Sequence, residues 1–389
     1  MSTAGRTRTR PPFWRDVRVL RVMAQVIAVG VVIAILYILW FNLTNNLRRA
    51  GIPLDFGFLT QPLGVDIAGS DVGPSSPIWR GFVVGIKNTF ALVIVGLPLV
   101  TIIGLIVGVA RLSTNWLVAK SAALYVEVLR NIPPLLIIFF VFNAVVLQLP
   151  RIENSATPLQ LFVVNNRFIA VTGFMAQEGF GMFWAIMGAA LIVAIGVWVW
   201  RTRRQAATGK AHHRLLWSLG FLFVVGLVGF FGIGEPFGIT RPVLDGRSLE
   251  GGFQGLGAYF ACLVALVLYT ASHVAEIVRG SLLAVPRGQT EAANALALSP
   301  MQRLRLVVLP QAMRIAIPPT ISQYLNYTKN TSLAIAIGYA EVTRVTFQAI
   351  GNGQPAVQLI VGLMASYLLF SLSISALVNV LNRRLAYVT

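Results

Sequence analysis

The sequence predicts an all-α, polytopic transmembrane protein of about eight spans, and three observations carry that expectation. The chain of 389 residues is 56% hydrophobic and only 11% charged, with a mean hydropathy of +0.76, outside the usual composition of a soluble domain. Its apolar runs approach ~20 residues, the length a helix needs to cross a bilayer core. Several such runs follow one another along the chain, which makes the protein polytopic.

Taken in order, residues 1–21 form a basic tail with Arg6, Arg8, Arg10, Arg15, Arg18 and Arg21. A first span covers residues 22–43. It is too long for a signal-peptide core, and no small-residue cleavage site follows it, so it reads as a retained anchor. A polar loop runs to about residue 86, and a second span occupies residues 88–110, ending at Arg111. A third reaches residue 149 and carries Pro133 and Pro134 near its start, which predict a kink. Residues 151–181 read as a loop. The fourth span, residues 182–200, stops at Arg201, Arg203 and Arg204, and the fifth, residues 216–233, emerges into turn-rich sequence. The sixth covers residues 256–278, the seventh 315–339, and the eighth 357–381, ahead of Arg383 and Arg384.

The net charge of +18 would suggest a nucleic-acid partner in a soluble protein. With the N-terminus placed inside, most of the 31 Lys and Arg fall on the cytoplasmic side, and most of the 13 acidic residues fall on the other. The Lys/Arg bias sets topology and predicts both termini in the cytoplasm. Anionic head groups of the bilayer then suffice as partners for the basic surplus, and no nucleic acid is required.

Catalytic signatures are not visible. Gly209-Lys210-Ala211 is the nearest fragment to a phosphate-binding loop, and it lacks the upstream Gly and the hydroxyl residue. This chain is therefore not expected to hydrolyse ATP. His212 and His213 sit in a basic loop and read as solvated surface. Cys262, the one cysteine, lies in an apolar span; it can form neither an internal disulfide nor a Cys-based metal site.

Polar groups at membrane depth are more informative, because hydrocarbon cannot satisfy them. Glu127 and Arg130 stand three apart, as do Glu276 and Arg279. Each pair reads first as a local ion pair, with a gate or pathway lining as the alternative. His273, one turn before Glu276, reads as a satisfied buried imidazole. In the seventh span Asn326, Lys329, Asn330, Thr331 and Ser332 cluster near the middle. Interhelical hydrogen bonding would account for them. The preferred reading is a substrate path, with Lys329 and the hydroxyls binding a carboxylate, aided by the N-terminus of a broken helix.

Between the sixth and seventh spans, residues 288–319 form an amphipathic charged loop. Two short helices are expected to meet there at a turn, Thr290 capping the first. Ser299, Pro300 and Gln302 form a capping box with Pro at the first helical position, and Pro310, Pro318 and Pro319 should limit the second helix. Glu291-Ala292-Ala293, followed by Ala297, Val307, Leu309 and Pro310, resembles the EAA loop of importer-type ABC permeases, EAA-x3-G-x9-I-x-L-P. The flanks resemble the polar amino-acid branch: Tyr269, Glu276, Arg279 and Gly280 before the loop, Gly288 and Gln289 leading in, and Gln311 leading out. Downstream, Lys329-Asn330-Thr331-Ser332-Leu333 resembles K-[DN]-T-S-L. Ala297 stands where the family usually has Gly; because Ala is readily carried in a helix, it should reduce bend freedom without abolishing the loop.

The resemblance, to the long form of the general amino-acid permeases, implies a core of about five spans. Residues 1–86 would hold the tail, an extra span and a periplasmic loop; residues 87–150 and 256–389 would hold the core. Residues 151–255 would be an insertion with two spans. It further implies an inner-membrane permease subunit of a binding-protein-dependent amino-acid importer. Gly288, Gln289, Glu291, Ala292, Ala293, Ala297, Leu309 and Pro310 would dock into an ATPase dimer, the chain itself binding no cofactor while its partner uses ATP. A second permease subunit, either a paralogue or another copy, and a periplasmic amino-acid-binding protein complete the implied partners. Glu127, Arg130, Glu276 and residues 329–332 are the candidate path. An ion-gradient-driven secondary transporter is the alternative class, although no internal repeat supports it. A membrane scaffold or receptor subunit leaves both the loop and the polar seventh span unexplained.

Overall fold

The computed structural model describes residues 14, 16–51, 55–208, 213–234, 236–246 and 248–386. Arg6, Arg8, Arg10, Arg15, His212 and the fragment at 209–211 lie outside them.

Helix α1 (Val17–Arg49) is separated from α2 (Ile78–Ala110) by residues 50–77, which include a 3-10 turn at Gly57–Thr60; α2 begins ten residues before the predicted span. The extension is mostly apolar, with Arg80 and Lys87 as its charges, and Pro77, extended at ψ 148, stands at the N-cap. The third predicted span divides into α3 (Trp116–Asn131) and α4 (Pro134–Phe140), bent by 106° at the break. Two consecutive prolines remove two backbone donors, and Ile132, which precedes them, is extended. Next come α5 (Phe180–Thr208), α6 (Arg214–Ile233) and α7 (Gly257–Leu283), then α8 (Arg287–Ala295), α9 (Pro300–Arg303), α10 (Leu309–Asn330), α11 (Val342–Gly351) and α12 (Ala356–Ala386). Among the described residues, α1, α2, α5, α6, α7 and α12 are long and apolar enough to span a membrane, and the bent α3–α4 pair raises the number to seven.

The helical class holds. Within the stretches expected to be loops or turns there are nevertheless seven short strands among the described residues. β1 (Phe162–Val164), β2 (Phe168–Val171) and β7 (Phe253–Leu256) form one antiparallel sheet, β3 (Gly173–Ala176) pairs with β4 (Phe237–Thr240), and β5 (Val243–Asp245) pairs with β6 (Ser248–Glu250). Strands of three or four residues give too little period-2 pattern to be read locally. The β3–β4 ladder ties the start of α5 to the end of α6, and the two helices otherwise pack chiefly on each other.

The core is the α2–α7 pair. In α2 the buried positions Gly81, Gly85, Thr89, Leu92, Gly96, Val100, Gly104 and Gly108 make one stripe at spacings of three and four. A Cβ on Gly104 would sit 2.6 Å from Val274, and one on Gly108 would sit 2.7 Å from the Ala275 carbonyl. In α7, Ala261, Cys262, Ala265, Ala271, Ser272 and Ala275 are buried in turn. Lipid offers apolar side chains as good an environment as protein does, so small residues that let backbones approach are what hold such helices together.

The predicted seventh span differs in kind from the others. α10 carries Pro318 and Pro319 inside it and runs on to Asn330, so these prolines do not end the helix as expected. A 3-10 segment over Thr331–Ile337 then closes at Gly338, which is left-handed at φ 80.

Candidate functional site: a charged cavity and the loop beyond it

Asn115 starts α3 by accepting the backbone N–H groups of Leu117 and Val118 on its side-chain oxygen. One face of that helix then presents Val126, Glu127, Arg130 and Asn131. Together with Arg111 at the end of α2 and His273 and Glu276 on α7, they line a cavity of about 370 Å³, within the range of small-ligand sites.

Glu276 is held from two sides. Arg279 donates to it through Nε at 3.2 Å and Nη2 at 2.6 Å, so the predicted i,i+3 pair forms. Arg111 donates to the same carboxylate from α2. Both bridges are only partly screened, with side chains 19–31% exposed. The corresponding Glu127–Arg130 ion pair does not form. Both residues line the cavity instead, and Glu127 accepts from the Asn131 side chain at its backbone carbonyl. His273 is half-buried; its Nδ1 lies 3.1 Å from the Tyr269 carbonyl and its ring 4.7 Å from the Tyr269 ring.

The polar cluster of the seventh segment lies apart from this cavity. Thr331 is buried, and its hydroxyl donates to the Thr328 carbonyl at 2.7 Å; Ser332 does the same to Lys329. Both hydroxyls thus donate within their own turn. Asn330 is half-buried, and Lys329 is exposed in the single chain and in no ion pair among the described residues. The nearest helix N-terminus downstream is already occupied: Glu341, fully buried, accepts from the N–H groups of Thr343 and Arg344 and from the Tyr367 hydroxyl. It therefore offers nothing to an incoming carboxylate.

Beyond Glu276, α7 ends at Leu283, and the polypeptide turns into the loop. Thr290 is not the cap of α8, because Pro286 at the N-cap lets the helix begin at Arg287 and Thr290 falls inside it. Ser299 caps α9 as expected, the side chains and backbones of Ser299 and Gln302 bonding reciprocally. Ala297 corrects the expectation most sharply. Its φ is +55, and it lies in the turn, not in a helix. Leu298 N–H reaches the Ala293 carbonyl at 3.1 Å, and Ala297 N–H reaches that of Asn294 at 2.9 Å. This is the Schellman arrangement, whose left-handed position favours Gly. The loop is closed at its ends by Gln311 donating to Gln289 at 3.2 Å and across its middle by Arg303 donating to Asn294 at 2.6 Å. Gly288, Glu291, Ala292, Leu309 and Pro310 are exposed, whereas Ala293 is buried under the turn. Leu296, 76% exposed, and Met301, 70% exposed, project from its tip.

Arg111 and Asn131 were not among the candidates. Arg111 reads in sequence as the basic end of a span, and nothing local signals that it reaches α7. The glycine row of α2 was legible at spacings of three and four, and it marks the surface that makes this reach possible.

A family model for the inner-membrane component of binding-protein-dependent transport systems matches residues 215–387. The general L-amino acid transport system permease protein AapQ of Rhizobium johnstonii is 36% identical over 96% of this chain and 94% of its own length. The putative amino-acid ABC transporter permease protein YhdX of Escherichia coli is 36% identical over 94% and 93%. The glutamate/glutamine/aspartate/asparagine transport system permease protein BztB of Rhodobacter capsulatus is 35% identical over 95% and 94%. With such identity along nearly the whole chain, and with apolar helices to match, this multi-pass inner-membrane protein belongs to the amino-acid ABC permease family, the membrane components of binding-protein-dependent transport systems.

Proposed function

We propose that this chain is the permease subunit of an amino-acid importer, forming part of the translocation path and taking its power stroke from a separate ATPase dimer through residues 288–319. The observation that carries the reading is α7 itself. It lines the charged cavity with His273 and Glu276 and, less than two turns after Arg279, ends where the exposed loop begins. A zwitterionic ligand needs donors for its carboxylate and acceptors for its ammonium; Arg130 supplies the first and Glu127 the second, while the Arg111–Glu276 bridge forms the wall beside them. Lys329, exposed beside a half-buried Asn330, serves the path where a second permease subunit, a paralogue or another copy, completes it. A periplasmic binding protein delivers the amino acid, both termini face the cytoplasm, and ATP is hydrolysed on the partner rather than here. Residues 151–255 would be an addition to a core of about five spans.

The test is Glu291→Lys in the assembled transporter. Glu291 is exposed on α8, beside the turn that presents Leu296 and Met301, where reversing a charge acts on a docking surface. The variant is expected to keep its membrane yield but lose uptake together with ATPase co-purification or stimulation. Normal uptake with a normally bound ATPase would remove the loop from the coupling role. Uptake by the parent protein that persists without ATP and stops when the ion gradient is collapsed would instead identify a secondary transporter.

A further inference from the structure

The α5–α6 hairpin has a one-signed end. Between Gly179 and Gly234 the sequence has no Asp or Glu, while Arg201, Arg203, Arg204 and Arg214 fall at the end opposite the β3–β4 ladder. Two tryptophans mark the same level. The guanidinium of Arg201 sits 4.4 Å from the Trp217 ring centroid, and that of Arg204 sits 4.6 Å from the Trp200 ring. Arg203, Arg204, Trp200 and Trp217 are all exposed.

Tryptophans at the end of an apolar helix settle at head-group depth, so these arginines stand at the level of lipid phosphates. A guanidinium over an indole face is attracted through the ring's π system and retains N–H donors for phosphate oxygens. The hairpin packs chiefly on itself, through Ala190, Ala194 and the Ser218 hydroxyl donating to the Ala194 carbonyl at 3.2 Å. Most of its remaining surface is apolar and exposed.

We propose that the tip of this hairpin is a binding site for anionic phospholipid head groups. Arg201, Arg203 and Arg204 contact the phosphates, Trp200 and Trp217 hold the arginines at the interface, and the hairpin anchors the permease to acidic lipid. Charge complementarity selects the ligand. A zwitterionic head group brings no net charge to the cluster, whereas an anionic one contributes about 1 kcal/mol per basic residue near the surface.

The test uses the intact transporter, extracted in mild detergent and placed in nanodiscs. Its retained lipids are counted by mass spectrometry after exposure to equal phosphatidylglycerol and phosphatidylcholine. The parent protein is expected to retain phosphatidylglycerol preferentially and to release it with salt. Arg201→Gln/Arg203→Gln/Arg204→Gln is expected to bind it about a hundredfold more weakly, while the corresponding triple Lys replacement keeps most of the binding. Should the Gln triple accumulate poorly, the parent and Trp200→Phe/Trp217→Phe proteins decide the matter through quenching by brominated phosphatidylglycerol against brominated phosphatidylcholine. The parent's extra quenching by the anionic lipid should disappear in the double Phe variant. Equal retention of the two lipids by the parent overturns the proposal, as does undiminished phosphatidylglycerol in the Gln triple. A Gln triple that keeps phosphatidylglycerol and loses the ATPase overturns it too, in favour of a protein interface.

Discussion

Arg111, at the C-cap of α2, donates to the carboxylate of Glu276 on α7, which Arg279 engages from its other side. The contact joins two helices 165 residues apart in sequence and forms one wall of the charged cavity. It also fixes how much acceptor capacity Glu276 keeps for a ligand, since two guanidinium groups already share its two oxygens.

The pair should therefore couple in a double-mutant cycle. Arg111→Met and Glu276→Met each break the bridge, and each leaves the other charge short of its partner. The double variant should be more stable than the sum of the two single losses implies. Partial exposure of both side chains limits the coupling to about 1 kcal/mol. Thermal unfolding of the four proteins in nanodiscs measures it, and strictly additive losses would show that the contact contributes nothing.

Ala297 at φ +55 makes the loop stabilisable by one substitution. A Cβ in the left-handed region costs about 1 kcal/mol, and Gly removes that cost while adding some unfolded-state freedom. Ala297→Gly should slow amide exchange of Leu298, whose N–H closes the turn onto Ala293, by a few-fold. Ala297→Val should do the reverse and weaken ATPase association, because a β-branched residue tolerates this conformation worst. Faster exchange at Leu298 in the Gly variant would mean that the turn opens in solution.

Lys329 lies exposed at the last turn of α10, in no ion pair among the described residues, while Glu276 is committed to Arg111 and Arg279 and Glu341 to α11 and Tyr367. Lys329→Met should leave membrane yield and basal ATPase activity unchanged and lower uptake at least about tenfold, whereas Lys329→Arg should retain part of it. A lower yield of the Met variant would make the lysine a structural partner across the subunit interface. Parental uptake would remove it from the path.

Much of this protein was determined by the sequence alone. Apolar runs must become helices in hydrocarbon because only helices satisfy their own backbone there; hence α1, α5, α6, α7 and α12 fall where the hydropathy puts them. Ser299 with Gln302 marked the start of α9, and Glu276 with Arg279 marked a pair, because both relations span three residues and local geometry settles them. Tertiary structure decided the rest. It brought Arg111 to Glu276, gathered Glu127 and Arg130 around one cavity with His273, and put Ala297 rather than a helical residue at the turn between α8 and α9. It also enclosed Tyr327 beside Gly96, where an added Cβ would lie 1.8 Å from the tyrosine oxygen. Each of these depends on how closely α2 lies on α7 and α10, or on how one helix end is closed by the next. Such distances are set by packing between segments that hydropathy registers only as equally apolar.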